Sequence, residues 1–396
     1  MIIPDRPFVS DIMLNSAAKF DIPLVYTSTA REMGIDRTAN VIDEAEAIKL
    51  LNAQEYPKVY TNSENSIGWV AKNLKDTKLP ELIDNFKNKV RFRELLKPMF
   101  PHFYFLEIPF EELNNTDPAT LKYPFIIKPA TGFFSMGVHR VEDPSQWNNT
   151  VAKIEAELKE VAGLYPDEVM NSEAFIIEEC IDGEEYAVDV YYDESGEPVV
   201  LNIHKHIFSS ADDVSDRVYI SSKDVILDNL EPFTHFMAEI GKLSGARNIT
   251  VHAELRRDGE IIAPIEINPM RFGGWCTTAD ATILSYGFSP YEYFHKGLKP
   301  DWEQVFNGKE DKLYGMIVLD NSTGMRGADI ESFNYESLLS KFKNPLEMRM
   351  IDHKRFPLFG FLFTETDKDD IAELHGILHS DLREFIIPAK EKQGAL

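Results

Sequence analysis

The sequence has little cysteine and no long apolar run. Cys180 and Cys276 are its two cysteines, which excludes a disulfide framework and a four-cysteine zinc site and is typical of a reducing compartment. No apolar stretch approaches the roughly 20 residues of a membrane-spanning helix. Residues 1–6 lack the basic-then-apolar pattern of a signal peptide. We therefore expect a cytoplasmic protein without a membrane partner.

Positive charge is also scarce. Lys and Arg number 41 against 66 Asp and Glu, which gives a formal net charge of −25. Such a surface repels phosphate backbones, so we expect no nucleic-acid partner, although a local basic pocket for one small anion is compatible with this charge. Hydrophobic residues make up 43% of the 396 residues, so material for packed cores is ample and the length predicts two or three domains.

The two commonest nucleotide-binding fingerprints, Gly-x-Gly-x-x-Gly and the Gly-Lys-Ser/Thr loop, are absent. The first 95 residues nevertheless alternate apolar strand-like segments, at 22–26 and 58–60, with helical spacing at 42–51 and 67–74. This alternation predicts a small parallel α/β sheet.

From residue 123 onward, short apolar segments separated by turn residues predict strands. These predicted strands are 124–129, 138–141, 174–179, 186–192, 198–206, 249–256, 260–268, 314–319 and 358–363. The segments at 186–206 and 249–268 read as hairpins. A helix is predicted from the N-cap Asp143 to about 162, and another over 369–379.

Three polar features lie in or beside these strands. Lys128 ends one strand beside a loop of small residues, where a buried lysine next to backbone amides is a natural anion site and an exposed lysine is the alternative. Residues 178–185 lead a strand into an acidic turn, whose backbone could hydrogen-bond a planar ring while Glu185 accepts from sugar hydroxyls; a plain surface turn is the alternative. Lys205 lies between two histidines, and we favour a phosphate-facing lysine over a metal site because a third ligand is missing.

Glu254, Glu266 and Asn268 are the most informative residues. Glu266 and Asn268 share a strand face, and Glu254 lies on the partner strand, so two carboxylates and an amide oxygen suit Mg²⁺, with Mn²⁺ as an alternative; a solvated hairpin face is the competing interpretation. Sharing a metal requires both carboxylates on one face. A three-residue turn over 257–259, ending in a left-handed Gly259, meets this requirement and a two-residue turn at 258–259 does not, so we predict the former.

Taken in order, these segments resemble the ATP-grasp superfamily over about residues 85–285. Within this superfamily, the sequence His-Ala-Glu-Leu at residues 252–255 resembles that of the carboxylate–amine ligases, the enzymes that join amino acids or small carboxylates to amines. The resemblance implies an α/β (α+β) fold with an N-terminal α/β domain at 1–95, a two-sheet ATP-grasp domain at 96–295 and a C-terminal α+β domain at 296–396. It also implies a mobile lid at about 121–179.

The resemblance assigns site residues by position. They are Lys89, Lys128 and Lys205 for the phosphates of ATP, Ser135 and Gly137 as further nucleotide-binding residues, Glu178, Glu179 and Ile181 for adenine, Glu185 for ribose, and Glu254, Glu266 and Asn268 for Mg²⁺. Many relatives read Asn-Pro-Arg, whereas here Met270 follows Asn268-Pro269 and Arg271 comes one place later. Arg271, with Lys205, is expected to be catalytic, and Arg217 and Arg256 are the next candidates.

The implied activity is ATP-dependent coupling of a carboxylate to an amine, such as an amino acid or small peptide, through an acyl phosphate. No side-chain nucleophile is needed, and we interpret Cys276 as a small buried residue. One alternative is an ATP-binding regulatory or structural protein without turnover. Another is a carboxylase or purine-pathway ligase of the same superfamily. The expected partners are small-molecule substrates, with a homo-oligomer left open.

Overall fold

The computed structural model describes residues 1–35, 40–131, 137–161, 174–210 and 215–389. Its strands are β1 Ile2–Ile3, β2 Leu24–Tyr26, β3 Val41–Asp43, β4 Tyr60–Thr61, β5 Phe105–Pro109, β6 Phe125–Pro129, β7 His139–Val141, β8 Ala174–Glu179, β9 Glu184–Tyr192, β10 Pro198–Ile207, β11 Val218–Ser222, β12 Ile249–Asp258, β13 Ile261–Pro269, β14 Lys312–Asp320, β15 Ile330–Phe333, β16 Asn344–Met350, β17 Leu358–Asp367 and β18 Ile386–Pro388.

Its helices are α1 Asp11–Lys19, α2 Ser28–Glu32, α3 Glu44–Asn52, α4 Ile67–Asn73, α5 Leu79–Lys87, α6 Lys89–Leu96, α7 Trp147–Val161, α8 Lys223–Ser244, α9 Thr277–Tyr286, α10 Pro290–Lys296, α11 Trp302–Val305, α12 Tyr335–Leu339 and α13 Ala372–Leu378. None of the helices in the described ranges combines the length and the apolar character that a bilayer crossing requires.

The N-terminal strands form the predicted parallel sheet. Its order is β3-β2-β1-β4, and each neighbouring pair is parallel. Helices begin where short polar side chains cap them: Ser10 accepts from the Met13 N–H at 3.0 Å, and Asp43 accepts from the Ala45 N–H at 2.9 Å. A backbone hydrogen bond connects the end of β4 to the residue that follows β13: the Thr61 N–H donates to the Met270 carbonyl at 2.9 Å.

The largest sheet has eight strands in the order β13-β12-β9-β10-β11-β14-β17-β16, all antiparallel. Helix α8 covers one face, where Phe233 meets Tyr186 edge-on at 5.3 Å. Strand β14 pairs directly with β11. The domain boundary predicted at residues 295/296 therefore does not coincide with a break in the sheet, since three strands beyond it extend the same sheet.

A second antiparallel sheet, in the order β5-β8-β6-β7, is covered by α7. The ring of Trp147 at the start of α7 is fully buried and lies 6.1 Å from Phe125 of β6. Asp143 caps this region as predicted, accepting from the Ser145 N–H at 2.8 Å. The predicted two-sheet architecture is confirmed, and the smaller sheet includes β5, which precedes the predicted start of the lid at residue 121.

The hairpin of β12 and β13 corrects one prediction. Asp258 pairs with Ile261, so the turn consists of Gly259 and Glu260 and the predicted three-residue turn is wrong. Gly259 has φ +58°, which suits the first position of a tight hairpin turn. The register then shifts by one residue: Leu255 pairs with Pro264 but Glu254 pairs with Glu266, so Ile265 is the extra residue of a β-bulge. The bulge, rather than the turn, places the two carboxylates on one face.

Candidate active site

The floor of the site is the face of the large sheet opposite α8. Glu254 and Glu266 lie directly across from each other on β12 and β13. Asn268 is buried beside them, and its Nδ2 donates to Glu266 Oε1 at 3.0 Å and approaches Glu254 Oε1 at 3.5 Å. Loss of solvent in the cleft, and then the neighbouring carboxylates Glu266 and Glu185, raise the pKa of Glu254 well above its usual range. Two carboxylates held this close require a cation to be charged together.

The donor set fits a hard divalent cation. Its oxygen atoms come from the facing carboxylates Glu254 and Glu266 and from the Asn268 amide beside them. In the described ranges, no group of three or more His, Cys, Asp or Glu side chains forms a metal-binding cluster. Oxygen ligands of this number suit Mg²⁺, which keeps several waters and shares its coordination with phosphates. The Asn268 amide would present its oxygen to a cation after a half turn of the group. The metal assignment thus stays a prediction that the geometry favours.

Lys89 forms one wall of the site. Asn88 begins α6 by accepting from the Val90 and Arg91 N–H groups, at 3.0 and 3.1 Å, and this cap directs Lys89 inward. Lys89 Nζ lies 3.0 Å from Glu266 Oε2. Burial would lower the pKa of Lys89, but Glu266 more than offsets it and the pKa is raised. An ammonium group here is charged and close to the carboxylate floor.

Lys128 forms the second wall. It is 4% exposed, so the alternative of an exposed strand-end lysine is wrong. Its Nζ lies 2.6 Å from Glu178 Oε1, and Arg93 Nε lies 2.7 Å from Glu178 Oε2. Burial would raise the pKa of Glu178, but Arg93 and Lys128 lower it to about 2. Burial lowers the pKa of Lys128, with Glu178 opposing.

The segment predicted to hold adenine and ribose connects the two sheets. Glu179 is fixed by Tyr104: its N–H donates to the Tyr104 carbonyl and its Oε2 accepts from the Tyr104 N–H, both at 3.0 Å. The Ile181 carbonyl accepts from Arg256 at 3.0 Å. Glu185 is held by Arg256 Nη2 and His206 Nδ1, each at 3.0 Å. These contacts give the segment a defined shape, and its nucleotide roles stay predictions.

The loop after β6 is described only in part. Ser135 lies outside the described residues. Gly137 has φ +69°, and its N–H donates to Glu157 at 3.2 Å. A β-carbon there would lie 3.3 Å from the ring of Pro129, which explains why glycine suits this position.

The structure contradicts the role predicted for Lys205. On β10, Lys205 lies opposite Tyr186 and Ile220, whereas His204 lies opposite Ala187, which in turn lies opposite Glu254. Directly opposed residues share a face and successive residues alternate, so Lys205 points away from Glu254 and toward the face that α8 covers. There it pairs with Glu184. The histidines that flank it, not the lysine, lie on the face of the site.

Arg271 lies at the edge of the site but is already engaged. Its Nε and Nη2 donate to Glu64 Oε1 at 2.9 and 2.6 Å, and Glu64 also pairs with Lys87. Burial would lower the pKa of Arg271, but Glu64 raises it, and Glu254 and Glu266 add to the increase. The Arg271 guanidinium is therefore close enough to interact electrostatically with Glu254 and Glu266. Arg217 is engaged by Asp320, Ser322 and backbone carbonyls and is 5% exposed. Arg256 is also engaged, by Glu185 and the Ile181 carbonyl, but its side chain is 31% exposed, so it stays the second candidate for an anion.

The loop around Arg271 has a strained backbone. Met270, Trp275 and Cys276 have φ angles of +67°, +59° and +60°. Residues with side chains rarely adopt such angles, so the surrounding packing must stabilise this conformation. Cys276 is fully buried, and burial raises the pKa of its thiol to about 12. The interpretation of Cys276 as a small buried residue is confirmed.

Sequence reasoning missed Arg93 and Glu64. Glu64 follows β4, far from the other site residues in sequence, and no motif marked it. Arg93 had a usable signal, since it lies four residues after Lys89 on α6 and residues i and i+4 share a helix face. A second cation beside Lys89 could have been anticipated from that spacing.

Comparisons with known proteins agree with this architecture. Residues 121–279 match the ATP-grasp domain family. No curated protein sequence matches the chain. Among solved structures, the L-amino acid ligase of Bacillus licheniformis is 18% identical, with a TM-score of 0.66 over 98% of each chain. The N5-carboxyaminoimidazole ribonucleotide synthetase of Thermotoga maritima is 15% identical, with a TM-score of 0.62 over 98% of this chain and 99% of that one.

A third similar structure is the biotin carboxylase domain of the Hydrogenobacter thermophilus 2-oxoglutarate carboxylase, solved as a dimer with MgADP, ADP and bicarbonate. It is 12% identical, with a TM-score of 0.61 over 98% of this chain and 90% of that one. At 12% to 18% identity the structural similarity shows a shared fold, and it does not assign the substrates of these three proteins to this chain.

Proposed function

Since the chain carries an ATP-grasp domain, we propose that it is an ATP- and Mg²⁺-dependent ligase that activates a carboxylate as an acyl phosphate and couples it to an amine. The observation that carries the proposal is the placement of two buried lysines beside the carboxylate pair Glu254 and Glu266. Lys89 Nζ lies 3.0 Å from Glu266, and Lys128, which pairs with Glu178, is close enough to help lower the pKa of Glu266. The pair suits a divalent cation, and the lysines suit the phosphates that such a cation accompanies. An amino acid or small peptide is the substrate class we favour.

The chemistry needs charge neutralisation and alignment rather than a nucleophilic side chain. A carboxylate oxygen attacks the γ-phosphorus of ATP and ADP leaves; the amine nitrogen then attacks the acyl carbon, phosphate leaves and the nitrogen loses a proton. Held by Glu254, Glu266 and Asn268, Mg²⁺ would neutralise phosphate charge. Lys89 and Lys128 hold the phosphates in line with the attacking oxygen. The smaller sheet, as a lid, would keep water from the acyl phosphate.

A second candidate, ATP-dependent carboxylation, is supported by the fold shared with a carboxylase domain. It uses the same phosphate chemistry with bicarbonate as the carboxylate. An ATP-binding protein without turnover is the third, and the engagement of Arg271 by Glu64 is the feature that favours it. The three differ in which additions stimulate ADP formation.

The test is ADP and phosphate release measured with a panel of carboxylates and amines in pairs, with bicarbonate as a separate arm and mass spectrometry of the products. The ligase proposal predicts ADP formation that requires both a carboxylate and an amine and yields a condensed product. Stimulation by bicarbonate with an acceptor, and by no carboxylate–amine pair, would favour the carboxylase. ATP binding without stimulated ADP formation in any arm would favour the protein without turnover.

Replacing Glu185 by alanine is expected to raise the Michaelis constant for ATP more than it lowers kcat. Ribose contacts are nearly the same in the ground and transition states, so they contribute uniform binding. Initial rates at varied ATP measure this. Glu184→Ala is the matched control, because Glu184 lies next to Glu185 and pairs with Lys205 on the other face. A large fall in kcat for Glu185→Ala with unchanged ATP affinity would contradict the ribose role.

Replacing Arg271 by lysine is expected to lower kcat/KM for the carboxylate substrate by on the order of 10-fold or more, because an ammonium group cannot form the planar, multidentate contacts of a guanidinium. The measurement is kcat/KM at saturating ATP, with the exposed Arg247→Lys as control. Full activity of Arg271→Lys would place the anion contact elsewhere, with Arg256 as the remaining candidate.

A further inference from the structure

Arg93 is a buried cation that contacts two different parts of the site. Its Nε lies 2.7 Å from Glu178 Oε2 on β8 of the smaller sheet. Its Nη1 and Nη2 donate to the carbonyls of Pro264 and Ile265 on β13, at 2.7 and 3.3 Å. The Arg93 side chain is 4% exposed, and its guanidinium lies 4.6 Å from the centre of the Phe103 ring. A residue on α6 therefore joins the smaller sheet to the edge strand of the large one.

The two carbonyls belong to the bulge. The ladder between β12 and β13 is regular up to Pro264 and resumes at Glu266, so Ile265 is the residue left out of the pairing. Bulges redirect backbone carbonyls and re-aim the side chains that follow. Glu266, the residue immediately after the bulge, faces Glu254 because of this shift. The atoms that Arg93 holds are thus those whose placement sets the direction of a predicted metal ligand.

The same bulge also meets Lys128. Lys128 Nζ approaches the Ile265 carbonyl at 3.4 Å and pairs with Glu178, the carboxylate that Arg93 binds through its other oxygen. If Lys128 turns toward a phosphate, Arg93 remains as a buried counter-charge for Glu178. A buried carboxylate without a charged partner destabilises the folded protein. Because Arg93 stays paired with Glu178, Lys128 can move away from Glu178 toward a phosphate without this loss of stability.

We propose that Arg93 is a positioning residue that sets the metal ligand Glu266 by holding the Ile265 bulge and frees Lys128 for phosphate by holding Glu178. It touches neither nucleotide nor metal and acts through these two groups. The inference rests on the proposed function, because it assigns Glu266 to a metal and Lys128 to a phosphate. A guanidinium is suited to this position, since its planar fork reaches a carboxylate and two carbonyls at once.

The test compares Arg93→Met and Arg93→Lys with wild type. The matched control is Arg91→Met, because Arg91 lies on the same helix and forms an exposed pair with Asp84. The metal readout is Mn²⁺ binding followed by electron paramagnetic resonance in the presence of a non-hydrolysable ATP analogue. Metal-free ADP binding and the melting temperature are measured in parallel.

Groups that orient metal ligands contribute about 10- to 100-fold to metal affinity, and we expect Arg93→Met to weaken Mn²⁺ binding within that range. Arg93→Lys should restore most of the melting temperature lost in Arg93→Met, because lysine places a positive charge beside Glu178. It should recover little of the Mn²⁺ affinity, because one ammonium cannot hold both carbonyls. Arg91→Met should match wild type in Mn²⁺ affinity.

Mn²⁺ affinity equal to wild type in a folded Arg93 variant would overturn the positioning role. If Arg93→Met does not fold, Arg93→Lys decides by the same criterion. Nucleotide-dependent Mn²⁺ binding by wild type without ADP formation from any substrate pair would remove the ligase proposal and leave the inference about Arg93 standing. Absence of nucleotide-dependent Mn²⁺ binding in wild type would remove both.

Discussion

Glu266→Gln should remove most Mg²⁺-dependent use of ATP, with kcat/KM lowered by at least on the order of 10²-fold. Glu266 faces Glu254 across the hairpin and is 3.0 Å from Lys89. The neutral amide keeps the size of the side chain but takes away one of the two charged oxygen donors. It also removes the negative charge that lies 3.0 Å from Lys89 Nζ. The measurement is ADP release with Mg²⁺ titrated at saturating substrates.

The matched control for this change is Glu260→Gln. Glu260 belongs to the same hairpin, but it lies exposed in the turn, away from the carboxylate pair. Its replacement tests whether loss of one negative charge on the hairpin is itself harmful. We expect wild-type dependence on Mg²⁺ for Glu260→Gln. If Glu266→Gln and Glu260→Gln respond to Mg²⁺ alike, the metal assignment of the carboxylate pair is wrong.

Elements with a local signature were predictable from the sequence. The alternation of strands and helices before residue 95 predicts the parallel sheet, and the apolar segments with turn residues between them predict β9, β10, β12 and β13. The cap at Asp143 is likewise local. Pairing between distant strands was not predictable, because it depends on packing that no short window contains. The union of β14 with β11, across the predicted boundary at 295/296, is the clearest example.

The hairpin at 249–269 shows how a correct conclusion can rest on a wrong register. The requirement that Glu254 and Glu266 share a face is met, but a two-residue turn and a bulge at Ile265 achieve it together. Turn chemistry around Gly259 is a local signal, whereas a bulge in mid-strand is stabilised by what lies beside it. Here that neighbour is Arg93, which comes from a helix more than 150 residues earlier in the chain.

Lys205 and Arg93 show the same limit for single side chains. Strand residues alternate between faces, so the face of Lys205 depends on how β10 is paired, and the order of motifs along the chain does not determine it. Arg93 lies in an ordinary helical pattern, and its importance follows from its contacts with Glu178 and the bulge. Residues next to recognisable loops, such as Lys128, were easier to identify because a lysine at a buried strand end requires an explanation.

Lys128→Met is expected to lower kcat for ATP use by on the order of 10²-fold or more, because a charge-assisted contact to phosphate is lost from a desolvated site. Methionine preserves much of the apolar stem, and Glu178 retains Arg93, which lies 2.7 Å from it in the wild type, so the melting temperature should change little. The measurement is the rate of ADP release at saturating substrates. Lys205→Met is the decisive comparison, since Lys205 is a lysine of the large sheet that faces away from Glu254. We expect near wild-type turnover for Lys205→Met. Equal losses of turnover in both variants would mean that the strand face does not determine the phosphate contact. Unchanged turnover in Lys128→Met would remove the phosphate role of Lys128.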